Sequence, residues 1–455
     1  MSNRASLPKA SVLDTAAFLA DVFLPTVAKG PIKRRPRMEA ASERLGLDGR
    51  AVSRMRSLQL KYPDGPVLLR LPFRSQAVAL RPSEVHRILE NSPEPFSPAS
   101  SEKRGALAHF EPRNVLISTG TERSIRRALQ EQALDTDSPV HHLADHFLPV
   151  IREEMDQLLS GLPSDQQLDW ERFSAAWERV VRRVVFGNSA ADDVELTRKL
   201  TRLRKDANWS AIKVTRTKTR AAFLTTVRKR MLAADPGSLA HALKDHDPSP
   251  AAAPVDQIPQ WLFALDPAGM ATFRTLALLA SHKNQLGKAQ QELAEDTSGH
   301  KHLPYLRACV LESLRLWPTT PMILRQTTRE VQWGGGIMPA KCGVLVFAPY
   351  FHRDSQLLPH ADLFHPELWL DQGTVEGDRP GQGKDWALVP FSEGPVRCPG
   401  RQLVLLLTSA TLARFIEETD FRLSDPGRLG PDIGLPSNLN PFSLRFTVLK
   451  RDATA

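Results

Sequence analysis

Residues 391–400 read Phe-Ser-Glu-Gly-Pro-Val-Arg-Cys-Pro-Gly, and they decide how the rest of the chain is interpreted. The single cysteine, Cys398, lies in a loop with two glycines and two prolines, and an apolar run over residues 403–416 follows. Such a run predicts a buried helix. A cysteine at the start of a helix is near the positive end of the helix dipole, which favours the thiolate. The segment therefore predicts a metal ligand or a reactive sulfur.

The composition excludes several classes of protein. The three cysteines of the 455-residue chain, Cys309, Cys342 and Cys398, are too few for a disulfide framework and lack the spacing of a zinc site. The net charge is +9, but aromatic residues make up only 7%, so no platform for stacking bases is expected and no nucleic acid is predicted as a partner. No stretch of about 18 uncharged apolar residues occurs, which predicts a soluble, cytoplasmic protein without a membrane span.

The hydrophobic pattern predicts a mainly α protein with small β-sheets. A helical period covers residues 257–282, with Pro267 inside it, and a proline there kinks the helix because it removes a backbone hydrogen bond. Alternating apolar residues predict strands at 322–327 and 343–348. Residues 92–117, rich in serine and proline, are interpreted as a long loop, and the basic residues 33–37 as a solvated turn. One domain over residues 1–455 is expected, with 1–30 considered as a loosely attached segment.

Glu312 and Arg315 are three residues apart on one face of a predicted helix over residues 303–317. At a surface such a pair contributes only about a few tenths of a kcal/mol. The same helix carries Leu306, Val310 and Leu314, so the pair is expected near the core. A buried pair needs further hydrogen-bond partners.

These features resemble the cytochrome P-450 superfamily of haem-thiolate monooxygenases, of the soluble bacterial type. The cysteine motif of the family is F-x-x-G-x-R/H-x-C-x-G, and Phe391, Gly394, Cys398 and Gly400 match four of its five fixed positions. Val396 stands at the fifth, basic position. The E-x-x-R motif of the family matches Glu312 to Arg315. The resemblance covers nearly the whole chain, by pattern more than by motif in the first half.

The resemblance implies a triangular helical fold with haem b between the kinked helix and the helix that follows the cysteine loop. It implies Cys398 as the axial thiolate and metal ligand, with Phe391 packed beside the sulfur and Gly400 allowing the backbone to approach the cofactor. A thiolate ligand favours cleavage of the O–O bond.

Arginine suits the two propionates of the haem because its planar fork binds both oxygens of a carboxylate. By resemblance, Arg325 stands at one position that the family uses for this. Arg126 is chosen as a second, with Arg123 and Arg127 as alternatives. Arg397, one position after Val396, is considered as a further propionate ligand.

The kinked helix departs from the family pattern, in which an acid followed by an alcohol delivers protons during oxygen activation. One alignment places Asp266 on the acid and Pro267 on the alcohol, and a shift by one places Pro267 and Ala268 there, so the hydroxyl is absent in both. We hypothesise that Asp266 delivers protons with ordered water or a substrate hydroxyl. The alternative is an enzyme that uses peroxide or does not activate oxygen.

Two further departures concern Leu368 and Pro399. The segment 364–369 is similar to the family motif F-x-P-E-R-F/W, but Leu368 replaces the arginine that normally completes the E-x-x-R pair. Either another donor, such as His365 or Arg353, fills the gap, or the network is smaller. Pro399 has no N–H to donate to the sulfur, which predicts a more electron-donating thiolate and a lower reduction potential of the iron.

The function implied by the resemblance is insertion of one oxygen atom from O2 into a hydrophobic small molecule. Electrons are expected from a separate ferredoxin and ferredoxin reductase, and a monomer is expected. Other haem-thiolate reactions, namely peroxygenation, dehydration and coupling, are alternatives, as is a haem protein that binds or senses a ligand without turnover. The expected pocket residues are Phe263, Ala264, Leu265, Pro267, Pro321, Met322 and Ile323, with the segments 92–117 and 435–440.

Overall fold

The computed structural model describes residues 7–243, 249–334, 336–370 and 386–451, and helices dominate these residues. The α-helices are α1 Val12–Phe18, α2 Leu24–Ala28, α3 Pro36–Arg44, α4 Leu47–Lys61, α5 Pro82–Glu90, α6 Ser101–Leu107, α7 Gly120–Ala133, α8 Ala144–Ser160, α9 Trp170–Phe186, α10 Val194–Ala207, α11 Thr217–Leu232, α12 Leu239–Ala242, α13 Pro254–Ser281, α14 Lys283–Glu295, α15 Pro304–Leu316, α16 Ala348–His352 and α17 Arg401–Glu418. The strands are β1 Val67–Leu69, β2 Gln76–Val78, β3 Phe96–Ser97, β4 Gln167–Asp169, β5 Met322–Thr327, β6 Val331–Trp333, β7 Gly336–Met338, β8 Gly343–Phe347, β9 Thr419–Leu423 and β10 Arg445–Lys450.

The strands form three small sheets. The largest has the order β1-β2-β8-β5-β3, and the others are β4-β10-β9 and β6-β7. Pairing within the largest sheet is antiparallel except between β2 and β8, and Met322 lies opposite Phe347 in the β5–β8 register. The prediction of a mainly α protein with small sheets is confirmed.

The helical core is organised around α13, α15 and α17. Almost every residue of α15 and most residues of α13 and α17 are buried in one continuous apolar cluster. A second cluster joins the largest sheet to the N-terminal helices, where Phe18 and Val22 are fully buried. The cysteine loop enters α17 from Gly400, so the loop lies at the edge of the helical core.

Helix α13 is long and apolar enough to cross a membrane by length and composition alone. However, 78% of its most apolar window is buried inside the protein. The burial of this window is what the core helix of a soluble protein shows.

Two interpretations of the sequence are corrected by the structure. Residues 92–117 are not a loop throughout, because they contain α6, whose first turn is capped by the Ser100 hydroxyl, and a short 3-10 turn. The basic residues 33–37 are not a solvated turn. Lys33 contacts Asp266 of α13, and the Arg35 guanidinium packs over the ring of Trp209.

Candidate functional site

The cysteine loop is held in a tight turn by hydrogen bonds and by one glycine. The N–H of Cys398 donates to the Phe391 carbonyl over 2.9 Å, and the N–H of Arg397 donates to the Gly394 carbonyl over 3.0 Å. Gly394 has φ +72°, and a Cβ there would overlap the Leu89 carbonyl oxygen at the end of α5. The turn therefore requires glycine at this position, and it presents Cys398 just before α17.

Neighbouring groups shift the pKa of the Cys398 thiol in opposite directions. Burial raises its pKa, whereas the backbone N–H of Gly400 and the positive charges of Arg127 and Arg401 lower it. The Gly400 N–H is a hydrogen-bond donor to the sulfur even though Pro399 has none to give. Because such a donor withdraws charge from sulfur, it offsets part of the electron donation expected from Pro399.

Three cations, the buried Arg123 and Arg325 and the half-buried Lys103, lie near the cysteine loop, and we call them the cation group. Arg325 donates from Nη2 to the Ser392 hydroxyl at 3.2 Å and from Nε to the Ser92 hydroxyl at 3.0 Å. Burial, then the charge of Arg123, lowers the pKa of Arg325 to about 9. Within the described residues, no carboxylate forms an ion pair with any of the three. Such a group needs an anion.

The other predicted cations lie elsewhere. Arg126 donates from Nη1 to the Ser118 hydroxyl, from Nε to the Ala251 carbonyl at 2.8 Å, and pairs with Glu122. Arg397 pairs with the exposed Asp137. Of the arginines weighed on α7, Arg123 belongs to the cation group.

Arg127 contacts the cysteine loop itself. Its Nη1 donates to the Arg397 carbonyl over 2.8 Å, and its charge acts on the Cys398 thiol. Arg127 therefore tunes the sulfur and supports the loop, whereas Arg126 does neither.

The pocket residues predicted on α13 fall on two sides of the helix. Gln260, Phe263, Ala264 and Pro267 are half-buried within a helix that is otherwise almost entirely buried, and their spacing places them on one face. That face adjoins open space. Leu265 is only 3% exposed and belongs to the packed core. On β5, Met322 is half-buried and Ile323 is buried.

The part of α13 around Pro267 is supported by a tryptophan that the sequence did not single out. Trp177 of α9 donates from Nε1 to the Leu265 carbonyl at 2.8 Å. The same indole lies against Gly269, where an added Cβ would come within 2.7 Å of it. Pro267 frees a carbonyl by lacking an N–H, and Trp177 provides a donor to a neighbouring one. The hydroxyl of Thr272 donates back to the Ala268 carbonyl, so it is not available at the kink.

Asp266 is held by two cations. Its Oδ2 lies 2.6 Å from Arg204 Nη1 of α10 and 3.1 Å from Lys33 Nζ. Burial raises the pKa of this carboxyl, but Arg204 and Lys33 outweigh burial and hold the pKa below its ordinary value. Asp266 is therefore a carboxylate at neutral pH, and it shares a small cleft with Glu178, whose pKa is raised by burial.

The Glu312–Arg315 pair is completely buried and fully hydrogen-bonded. Arg315 donates from Nε and Nη2 to the carboxylate at 2.8 and 2.7 Å, and from Nη1 to the His352 and Ala361 carbonyls. The donors that replace the arginine missing at Leu368 are the backbone N–H of His365 at 3.0 Å and Trp369 Nε1 at 2.8 Å. Arg353 pairs with Asp362 instead.

Comparisons with known proteins agree with this geometry. A family model described as "Cytochrome P450" matches residues 265–437. A "Cyclooctat-9-en-7-ol 5-monooxygenase" of Streptomyces melanosporofaciens is 32% identical over 170 residues, which cover 35% of this chain and 35% of that protein. A "Ferruginol synthase" of Salvia pomifera is 32% identical over 157 residues, which cover 32% of this chain and 34% of that protein. The chain thus matches about a third of the length of these relatives.

The fold is similar along the whole chain to a solved structure, "Retinoic acid bound cyanobacterial CYP120A1". The TM-score is 0.72, over 99% of this chain and 100% of that chain, at 18% identity. This likeness shows a P-450 fold. Together with the family match over residues 265–437, it shows that the chain is similar to the cytochrome P-450 superfamily, whose members hold haem b through a cysteine thiolate. The prediction of this fold is confirmed, and the matches agree with the predicted superfamily and its cofactor.

The residues present fit this cofactor. Haem b carries two propionates, and the cation group presents two buried cations and one half-buried cation without a carboxylate partner among the described residues. Cys398 supplies a sulfur whose surroundings contain one N–H donor and two cations. The chain would thus provide a soft sulfur ligand for the haem iron and cations for the two propionates.

Proposed function

We propose that the protein is a haem-thiolate monooxygenase that inserts one oxygen atom from O2 into a hydrophobic small molecule. The observation that carries the proposal is the half-buried Cys398 thiol just before α17, in a loop that contacts a cation group with no carboxylate partner among the described residues. When bound, the haem iron supplies the oxygen chemistry, and a thiolate ligand supports it by donating electron density.

Other residues of the chain are proposed to bind the cofactor and the substrate. Lys103, Arg123 and Arg325 would hold the propionates, and Cys398 would hold the iron. The half-buried face of α13 with Phe263 and Ala264 provides apolar surface for a substrate. Two of the similar proteins are named for cyclooctat-9-en-7-ol and retinoic acid, both mainly hydrocarbon, which supports a hydrophobic substrate.

Asp266 is proposed to pass protons through ordered water, with the carboxylate accepting and releasing them rather than storing one. Its ion pairs with Arg204 and Lys33 support this role because they keep the side chain ionised and fixed. In Asp266→Asn, we expect kcat to fall by about 100-fold or more while KM changes little. The exposed Asp432→Asn is the control, and turnover of Asp266→Asn equal to that of the wild type would rule out this role.

Electrons are proposed to come from a separate ferredoxin and its reductase. The test measures product formed by the wild type with O2, ferredoxin, reductase and NADPH, using a hydrophobic substrate chosen from a screen of spin-state shifts. Product in this system is expected, with one oxygen atom derived from O2 labelled with oxygen-18.

A peroxide-dependent reaction is the second proposed function. The observation that favours it is Pro267, which leaves no hydroxyl next to Asp266, while the Thr272 hydroxyl is bound to its own helix. Turnover with hydrogen peroxide, and none with the ferredoxin system, would establish this second function in place of the first.

A further inference from the structure

Lys103 of α6 is half-buried against β5. Lys103 Nζ lies 3.3 Å from the Leu324 carbonyl oxygen, and Arg325 Nη1 lies 3.0 Å from the same oxygen. Two positive groups therefore share one neutral acceptor, which places them within a few Å of each other. Their mutual repulsion is not offset by that carbonyl.

Among the described residues, the remaining neighbours offset this charge only in part, through Glu102. Arg123, the third member of the cation group, is 5% exposed and donates to the Val115 carbonyl over 2.7 Å. Glu102, adjacent to Lys103 in sequence, is paired with Arg74. Burial, then Arg325 and Arg123, lowers the pKa of Lys103 to about 7.

Lys103 also provides a basic group near the cysteine loop, where the motif lacks its usual basic residue. Val396 stands where the family has a basic residue, and Arg397 is bound to Asp137. Lys103 comes from a different part of the chain, α6 within the 92–117 segment, and its ammonium lies beside Arg325, which contacts Ser392 of the cysteine loop.

We propose that Lys103 is a positioning residue that binds a haem propionate in place of the basic residue missing at Val396, and that this bond holds α6 against β5. The inference rests on the cofactor of the proposed function. The proposed bond makes the contact between the 92–117 segment and β5 depend on a carboxylate of the cofactor. Lys103 thereby couples retention of haem to the order of a segment that is expected beside the substrate.

The test measures haem transfer from the ferric holoenzyme to excess apomyoglobin for Lys103→Gln. A charge-assisted hydrogen bond is lost, so haem loss about 10-fold to 100-fold faster than in the wild type is expected. Hydrogen exchange of the α6 amides in the holoenzyme is expected to accelerate as well. The exposed Lys218→Gln is the matched control and is expected to behave as the wild type in both measurements. Haem loss at the wild-type rate in Lys103→Gln would overturn the proposal.

A second arm separates the propionate contact from a packing effect. Wild type and Lys103→Gln are reconstituted with haem dimethyl ester, which has no carboxylates, and the two are expected to lose it at equal rates. Faster loss in Lys103→Gln with the ester as well would show a packing role and overturn the proposal. A wild type that binds no haem would contradict the proposed function itself, whereas normal haem binding with equal loss rates contradicts only the role of Lys103.

Discussion

Glu312 retains a complete set of hydrogen bonds although Leu368 occupies the position of the usual arginine. The donor that takes over is the indole N–H of Trp369, one residue further along, with the His365 N–H. A neutral donor can replace a charged one here because Arg315 already balances the charge of Glu312 at 2.7 Å. Buried charges require partners for their remaining lone pairs more than they require additional charge.

Replacing Trp369 with phenylalanine removes one hydrogen bond to an ionised, buried acceptor. We expect a loss of about 1.5–3 kcal/mol in the free energy of unfolding, measured by urea denaturation. Trp317→Phe is the control, because Trp317 Nε1 donates to the neutral Pro436 carbonyl and its loss should cost only about 0.5–1.5 kcal/mol. Equal losses in the two variants would contradict the role given to Trp369.

Glu111 is an exception to the rule that buried polar groups have hydrogen-bond partners. It is 0% exposed, neither carboxylate oxygen has a hydrogen-bond partner in the part of the chain that the structure describes, and burial raises its pKa well above the ordinary value. Below the ordinary glutamate pKa both folded and unfolded chains hold the proton. As pH rises above it, the unfolded chain releases the proton and the folded chain retains it, so stability falls.

Glu111→Gln removes this titration. Relative to the wild type, we expect the variant to gain stability between pH 5 and pH 8, by on the order of 1 kcal/mol per pH unit at most. Urea midpoints at several pH values measure the difference, and Glu90→Gln, at an exposed position, is the control. A difference between Glu111→Gln and the wild type that does not change with pH would show that Glu111 is ionised in the folded protein.

At the scale of elements, α13 shows what keeps a proline within a buried helix. Pro267 interrupts the hydrogen-bond pattern, Gly269 leaves room for the Trp177 indole, and the indole donates to the Leu265 carbonyl. The sequence predicted the kink from Pro267 alone. It could not predict Trp177, which is 88 residues away from Leu265 in the chain and carries no motif.

Gly269→Ala tests this arrangement. The new Cβ would lie 2.7 Å from the Trp177 ring, so we expect a loss of about 1–3 kcal/mol in the free energy of unfolding from overpacking. Gly287→Ala in α14 is the matched control, since nothing lies within 4 Å of its Cβ and alanine should add about 0.5–1 kcal/mol. A Gly269→Ala variant as stable as the wild type would show that the indole can move without cost.

The site was predictable where its residues are contiguous. The cysteine loop and the Glu312–Arg315 pair each lie within one short motif, so their spacing alone identifies them. The choice among Arg123, Arg126 and Arg127 was not predictable in this way, because neighbouring helix positions differ by about 100° in direction and no second anchor fixed the phase. Lys103 depended on a contact with Leu324, which is 221 residues away.

At the scale of the whole molecule, the N-terminal segment contacts the long helix α13 beside Asp266. Lys33 pairs with Asp266, and Asn208 accepts from the Ile32 N–H and donates to the Lys33 carbonyl. The N-terminal segment, the end of α10 and the kinked helix are therefore joined by direct contacts. Residues 33–37, whose composition predicted a solvated turn, therefore include a residue that holds Asp266, the acid proposed for proton transfer.

The absorption spectrum of the reduced protein with carbon monoxide tests the central claim, haem ligation by the Cys398 thiolate, most directly. We predict the long-wavelength Soret band typical of thiolate ligation in the wild type, and its loss in Cys398→Ala, with Cys342→Ala as the control because Cys342 lies buried in the sheet cluster. A wild-type band at the position typical of a nitrogen or neutral thiol ligand, or a long-wavelength band that persists in Cys398→Ala, would contradict the account.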